Sequence, residues 1–419
     1  MSTTTPVRPQ QPLSTPTPTV REYLRDYVRR VRGGDLGALP GVLVLVLLTI
    51  GFSSVRPSFF TAANFANLLT QGAAVTLIAM GLVFVLLLGE IDLSAGFTSG
   101  VCAAVLAVLV TLHGFPWYVA VLAAIATGVL IGLMLGSLVA KVGIPSFVVT
   151  LAAFLAFQGV VLLLIKDGTN ISIRDEVLIA IANRNLPPAL GWVFGAIVVA
   201  GYAAAQLLRH RARRKRGLTT APTAIVAARI VGLALLVGVA VYILNLERSF
   251  NTLISSLKGV PIVVPLITVL LVLWTFVLNR TAYGRHVYAV GGNREAARRA
   301  GINVDRIRIS VFVICSTMAA IGGIVAASRG HSVDANTGGS NVLLYAVGAA
   351  VIGGTSLFGG KGRVIDAILG GAVVAVIDNG MALMNAKSGH KFLFTGLVLL
   401  LAASVDALSR KRATTTGTG

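Results

Sequence analysis

The chain has 419 residues, of which 56% are hydrophobic, 12% are charged and 46 are glycine, with a mean hydropathy of +0.86. A soluble domain carries about a quarter charged residues, so this composition excludes a water-faced globular enzyme, and its hydrophobicity excludes disorder. Lys and Arg outnumber Asp and Glu by 35 to 15, for a formal charge of +20. The basic residues fall in short gaps between apolar runs, where positive charge sets membrane orientation and meets anionic head groups; the expected surroundings are a lipid bilayer, with no nucleic acid.

Residues 1–38 are polar, first rich in Pro and Thr and then basic from Arg21 to Arg32. The stretch VREYLRDYVRRVRGG reads either as a short interfacial helix or as a solvated tail. No apolar core with a cleavage site follows Met1, so no secretory signal is expected. A spanning helix needs about 20 apolar residues. Runs near that length follow at 39–55, 66–88, 96–112, 117–139, 145–165, 190–208, 225–246, 260–279, 308–328, 342–357, 364–386 and 391–408.

The basic segments test this count. With the N-terminus inside and twelve crossings, Arg21–Arg32, RHRARRKR at 209–216, the 280–308 loop, Lys361 with Arg363, and Arg410–Arg412 all fall on the cytoplasmic side. The expected fold is an all-α polytopic membrane protein of about 12 transmembrane helices with both termini cytoplasmic. Residues 1–38 form one tail, 39–408 the transmembrane domain, and 409–419 a second tail. The short, glycine-interrupted segments 96–112 and 342–357 point to inverted repeats with a substrate path between them, or else to short helices packed deep. Cys102 and Cys315 lie in apolar runs and the five His are scattered, so no disulfide, metal site or cofactor is expected.

Four motifs carry chemistry. Gly89-Glu90-Ile91-Asp92-Leu93-Ser94-Ala95-Gly96 puts two carboxylates between apolar runs, a costly place unless they are solvated, paired or capping. Asp92 or Ser94 suits the N-cap of the next helix; a proton relay is the other reading. In the 280–308 loop, Asn293 suits a cap, Glu295 a first turn and Gly301 a helix end, predicting about two turns of helix with arginines on one side and alanines on the other. Gly359-Gly360-Lys361-Gly362-Arg363 invites a phosphate-loop reading but lacks G-x-x-x-x-G-K-[ST], since Thr355 stands at the first glycine and Gly362 follows the lysine. Any ATP would then be hydrolysed by another chain. Asp378, followed by Asn379, is an acid inside a spanning run and is functional by default; a pair that only holds helices together is the alternative.

The break at 89–96, GIPSFVVTL at 143–151, the 280–308 loop and VIGGTSLFGG at 351–360 resemble, in this order, the ribose/xylose branch of ABC sugar-importer permeases. The resemblance runs from about residue 40 to 410. The extra hairpin 190–246 and Asp378-Asn379-Gly380-Met381 are similar to the xylose-type subgroup. This resemblance implies a permease, not an enzyme, that sits in the bacterial inner membrane and imports a monosaccharide, xylose first, by alternating access. It implies a homodimer, a cytoplasmic ABC ATPase docked through Gly292, Asn293, Glu295, Ala296, Ala297 and Gly301, and an extracellular sugar-binding protein. Glu90, Asp92, Asp378 and Asn379 are the candidate path residues. An ion-coupled secondary sugar transporter that titrates Glu90, Asp92 and Asp378 is the competing reading.

Overall fold

All twelve apolar runs form helices in the computed structural model, which describes residues 19–32, 37–166, 169–249 and 256–415. The first half holds α1 (Val20–Arg32), α2 (Leu39–Val55), α3 (Ala62–Gln71), α4 (Ala73–Leu87), α5 (Ala95–Ala107), α6 (Trp117–Ser137), α7 (Ser146–Leu164), strand β1 (Asn170–Ser172) and α8 (Glu176–Asn183). Then come α9 (Pro188–Lys215), α10 (Thr223–Asn245), α11 (Val263–Arg280), α12 (Ala282–Gly292), α13 (Arg294–Arg299), α14 (Val304–Gly330), strand β2 (Ser332–Asp334), α15 (Ser340–Gly353), α16 (Val364–Leu383) and α17 (Ser388–Thr415). Pro116, Pro145, Pro187 and Pro222 stand immediately before α6, α7, α9 and α10. A helix start tolerates proline because its first N–H groups have no partner within the helix.

Eight helices among the described residues are long and apolar enough to cross a membrane, and α3 with α4, bent by 42°, makes a ninth if the pair is one span. The remaining three expected runs form the shorter apolar helices Leu39–Val55, Asn341–Gly353 and Ser388–Leu401. The protein is thus an all-α multi-pass membrane protein. Parts of the expected tails, residues 1–18, 33–36 and 416–419, lie outside the described residues. Residues 20–32 form helix α1, whose Tyr23 hydroxyl accepts a 2.7 Å hydrogen bond from the Arg229 guanidinium of α10.

Packing centres on α14, which lies against α4, α5 and α6. Lipid tails are as apolar as leucine, so helices in a bilayer associate through close van der Waals fit, which small residues allow. Gly128, Gly132 and Gly136 line one face of α6 and press on the α14 backbone. A Cβ on Gly132 would come within 2.5 Å of the Val313 Cα, and one on Gly136 within 2.8 Å of the Ile309 Cα. The two glycine-interrupted segments also meet: a Cβ on Gly100 would lie 2.2 Å from the Thr337 carbonyl oxygen, just before α15. By contrast, α9 buries only Gly191 and Gly195, so the 190–246 hairpin sits at the edge of the bundle with α10 against α3.

The connection between α7 and α9 carries structure of its own. β1 pairs antiparallel with β2, Ile171 opposite Val333. Asp175 caps α8 by accepting from the Val177 and Leu178 N–H groups, and Asn183 at its end donates 2.7 Å to the Ser328 carbonyl of α14.

Candidate functional site

The segment between α4 and α5 is where the stretches 89–96, 143–151, 280–308 and 351–360 meet. Gly89 turns the chain at φ +68. The Gly360 N–H of the glycine loop donates to the Leu87 carbonyl at 2.9 Å. From α7, Ser146 Oγ accepts from the Ile91 N–H at 3.3 Å and the Thr150 hydroxyl donates to the Ile91 carbonyl at 3.2 Å. A Cβ on Gly291, at the end of α12, would lie 1.9 Å from the Leu87 carbonyl oxygen, so only glycine lets the loop approach this closely. The Tyr288 hydroxyl closes the group by donating 2.8 Å to the Gly362 carbonyl.

Charge holds the same junction. Glu90, 4% exposed, accepts from Arg294 Nη2 at 2.7 Å and from Arg308 Nε at 2.9 Å, with Arg308 Nη2 at 2.8 Å. Arg294 also donates to the Leu88 carbonyl at 3.1 Å. One buried carboxylate thereby joins the α4–α5 break, the start of α13 and the first turns of α14. Asp92, 1% exposed, accepts from the Ser94 N–H at 2.9 Å and the Ser94 hydroxyl at 2.6 Å. Ser94 holds the N-cap position of α5 without a side-chain cap of its own, so Asp92 braces the turn ahead of that helix. Burial pushes the Asp92 carboxyl up, and the Cys315 thiol of α14 faces it.

The 280–308 loop folds as two helices. Thr281 caps α12 by accepting from the Gly284 N–H at 3.2 Å, and burial pushes the Tyr283 phenol up to about 12, keeping it neutral beside Ser310. Asn293 caps α13 by accepting from the Ala296 N–H at 2.9 Å, Glu295 lies in the first turn, and Gly301 follows the end at φ +82. Ala297 is buried, while Gly292, Asn293, Glu295, Ala296 and Gly301 are exposed. Glu295 pairs along the helix with Arg299 at 3.2 Å. The result is a short outward ridge anchored from behind by Arg294.

At the opposite end of the helices a polar network surrounds Asp378 and Asn379. Asn379 is buried; it accepts from Asn64 Nδ2 at 2.9 Å and donates to Gln71 Oε1 at 3.2 Å. Gln71 also donates to Asp378, and Lys391 of α17 lies 3.5 Å from Asp378 Oδ1. Asp378 itself is part-exposed. At this same end a separate cavity of about 550 Å³ is lined by Gln158, Asn170, Asp334 and Asn336, amide and carboxylate groups that can exchange hydrogen bonds with hydroxyls. Nothing in the sequence singles out Arg294, Arg308, Gln71 or Lys391 as the partners of these acids. The signal available was that acids in apolar surroundings need a countercharge, although nothing in the sequence says which.

The fold is a bundle of apolar helices with a capped, exposed helix ridge at one end and a polar side-chain network at the other. The chain matches, over residues 64–403, the family described as the permease component of the branched-chain amino acid transport system, and it belongs to that family. It is a permease component and not itself an enzyme. It is 36% identical over 355 residues to the xylose transport system permease protein XylH of Escherichia coli, covering 85% of this chain and 87% of that one. To XylH of Haemophilus influenzae it is 33% identical over 373 residues, covering 88% and 96%. To the ribose import permease protein RbsC of Escherichia coli it is 30% identical over 365 residues, covering 87% and 92%. No solved structure matches the chain.

Proposed function

We propose that the chain is the transmembrane permease subunit of an ATP-binding-cassette importer for a monosaccharide, with xylose as its sugar. The carrying observation is the convergence of the α12–α13 loop on the α4–α5 break through Glu90, Arg294 and Arg308. Such a joint lets a push on the exposed α13 ridge reach the α4–α5 break and α14 behind it. The names of the relatives support the sugar. In this reading two copies of the chain pair, each docks a cytoplasmic ATPase through Gly292, Asn293, Glu295, Ala296, Ala297 and Gly301, and an extracellular binding protein delivers the sugar. Twelve crossings with both termini cytoplasmic, in the bacterial inner membrane, go with this arrangement. The ion-coupled alternative loses ground because Glu90 is held by two guanidinium groups instead of facing an open path.

The test is uptake by proteoliposomes holding this chain, its ATPase and the binding protein. Xylose uptake is expected to require ATP inside and to persist when ion gradients are collapsed. Uptake driven by a proton gradient without ATP would sink the reading.

Asp378 is assigned to the sugar path, with Asn379 holding Asn64 and Gln71 in place behind it. Losing a hydrogen bond to a charged group costs about 1.5–3 kcal/mol. Asp378→Ala is therefore expected to raise the KM for xylose uptake by about tenfold or more, with membrane insertion unchanged. Unaltered kinetics would leave Asp378 only a partner for Lys391.

A further inference from the structure

A basic cavity lies away from the α4–α5 junction and the Asp378 network. A cavity of about 700 Å³ opens between the end of α9, the 216–222 turn, the start of α10 and the end of α11. Arg209, His210, Arg213, Arg216, Arg229 and Arg280 line it, and no Asp or Glu does. Among the described residues, none of these arginines forms an ion pair. Five guanidinium groups around one concavity repel each other, so the arrangement is at its lowest energy with an anion between them. Arginine's planar fork matches phosphate oxygens two at a time, which a lysine ammonium cannot do.

Membrane orientation accounts for the number of positive charges here but not for their arrangement. Orientation depends on charge count alone, for which Lys and Arg serve equally. Yet every charged side chain of the lining is an arginine, with His210 among them and Gln206, Thr220 and Asn279 as further polar groups, while Arg211, Arg214 and Lys215 of the same run lie outside it.

The depth of the cavity selects the source of the phosphate. Arg209 and Arg280 stand where the apolar parts of α9 and α11 end, at the level where a bilayer becomes polar. Beside them Leu207, Leu208 and Leu218 are exposed on the hairpin flank, giving an apolar surface continuous with the basic one. A soluble phosphate has no use for that flank, whereas acyl chains do. Arg229 also donates to the Tyr23 hydroxyl and lies 6.0 Å from the centre of its ring, which sets the basic helix α1 against this lining residue.

We propose that this cavity holds the phosphate of an anionic phospholipid from the adjacent leaflet, with its acyl chains along the α9–α10 flank. The site ties the peripheral hairpin and α1 to the bilayer.

The test uses the purified full-length chain equilibrated with equal amounts of phosphatidylglycerol and phosphatidylcholine, with retained lipid read by native mass spectrometry. Retention is expected to favour phosphatidylglycerol by about tenfold or more, since each basic residue near an anionic surface adds a several-fold preference. The triple variant Arg209→Lys, Arg213→Lys, Arg280→Lys keeps the charge and the orientation and is expected to lose part of this preference. The corresponding triple Gln variant, with its orientation checked by a reporter after Gly217, is expected to lose most of it. Equal retention of the two lipids by the unaltered chain overturns the proposal, as does a preference that the Gln variant leaves intact. Thermal stabilisation by inorganic phosphate without any lipid preference would move the ligand into solution and overturn the lipid assignment.

Discussion

Glu90→Gln is expected to lower ATP-driven xylose uptake by about ten- to a hundredfold while the protein still inserts in the membrane. Glu90 is nearly fully buried, and Arg308 keeps only 15% of its side chain exposed. Removing one member of such a pair strands the other's charge, at a cost of about 3–5 kcal/mol. Arg294 is 44% exposed and recovers water when released, so the lower end of that range applies. A glutamine still accepts one hydrogen bond but cannot balance two guanidinium groups, and the start of α13 is expected to come away from the Leu88 carbonyl. The reconstituted system separates this from unfolding: ATP hydrolysis by the docked partner is expected to continue while uptake falls, because the exposed face of α13 is unchanged. Uptake at the unaltered rate would mean that the joint carries no force.

Gly132→Leu is expected to prevent accumulation of folded protein, and Gly132→Ala to lower the Tm in detergent by several degrees. The contacts that a new Cβ meets at Gly132 are the Val313 Cα at 2.5 Å and the Phe312 carbonyl oxygen at 2.7 Å. Both are backbone atoms of α14, so no rotamer change relieves the clash and the two helices must separate. Overpacking a close-fitted core costs about 1–3 kcal/mol and sometimes more, and here the strain falls on the central helix pair. Gly201→Ala is the control. Gly201 lies on exposed α9 with open space around it, and its replacement is expected to leave thermal stability unchanged. Equal effects at both positions would contradict the packing described for α6 and α14.

Much of the architecture can be read along the chain because a bilayer imposes a local rule: a run of about 20 apolar residues must satisfy its own backbone hydrogen bonds and so becomes a helix. The helix of the 280–308 loop is legible for the same reason, since Asn293 and Gly301 act on N–H and carbonyl groups within a few residues. Where neighbours far apart in the chain intervene, the reading falls short. The run 66–88 is bent at Gly72, where a Cβ would meet the Ala375 Cβ at 2.9 Å. The α9 helix continues beyond its apolar part to Lys215 because Arg, Ala and Lys are good helix formers.

Composition by itself marks a multi-pass membrane protein and local capping marks a helix in its longest basic loop, while the permease class rests on the resemblance that four motifs carry in order. Which charges meet was not readable there. Glu90 is separated from its partners by 204 and 218 residues, and Gln71 from Asp378 by 307. Helix formation depends on neighbours in the chain, whereas the pairing of buried ions depends on which helix faces bring them together, and that follows only from how the whole bundle packs.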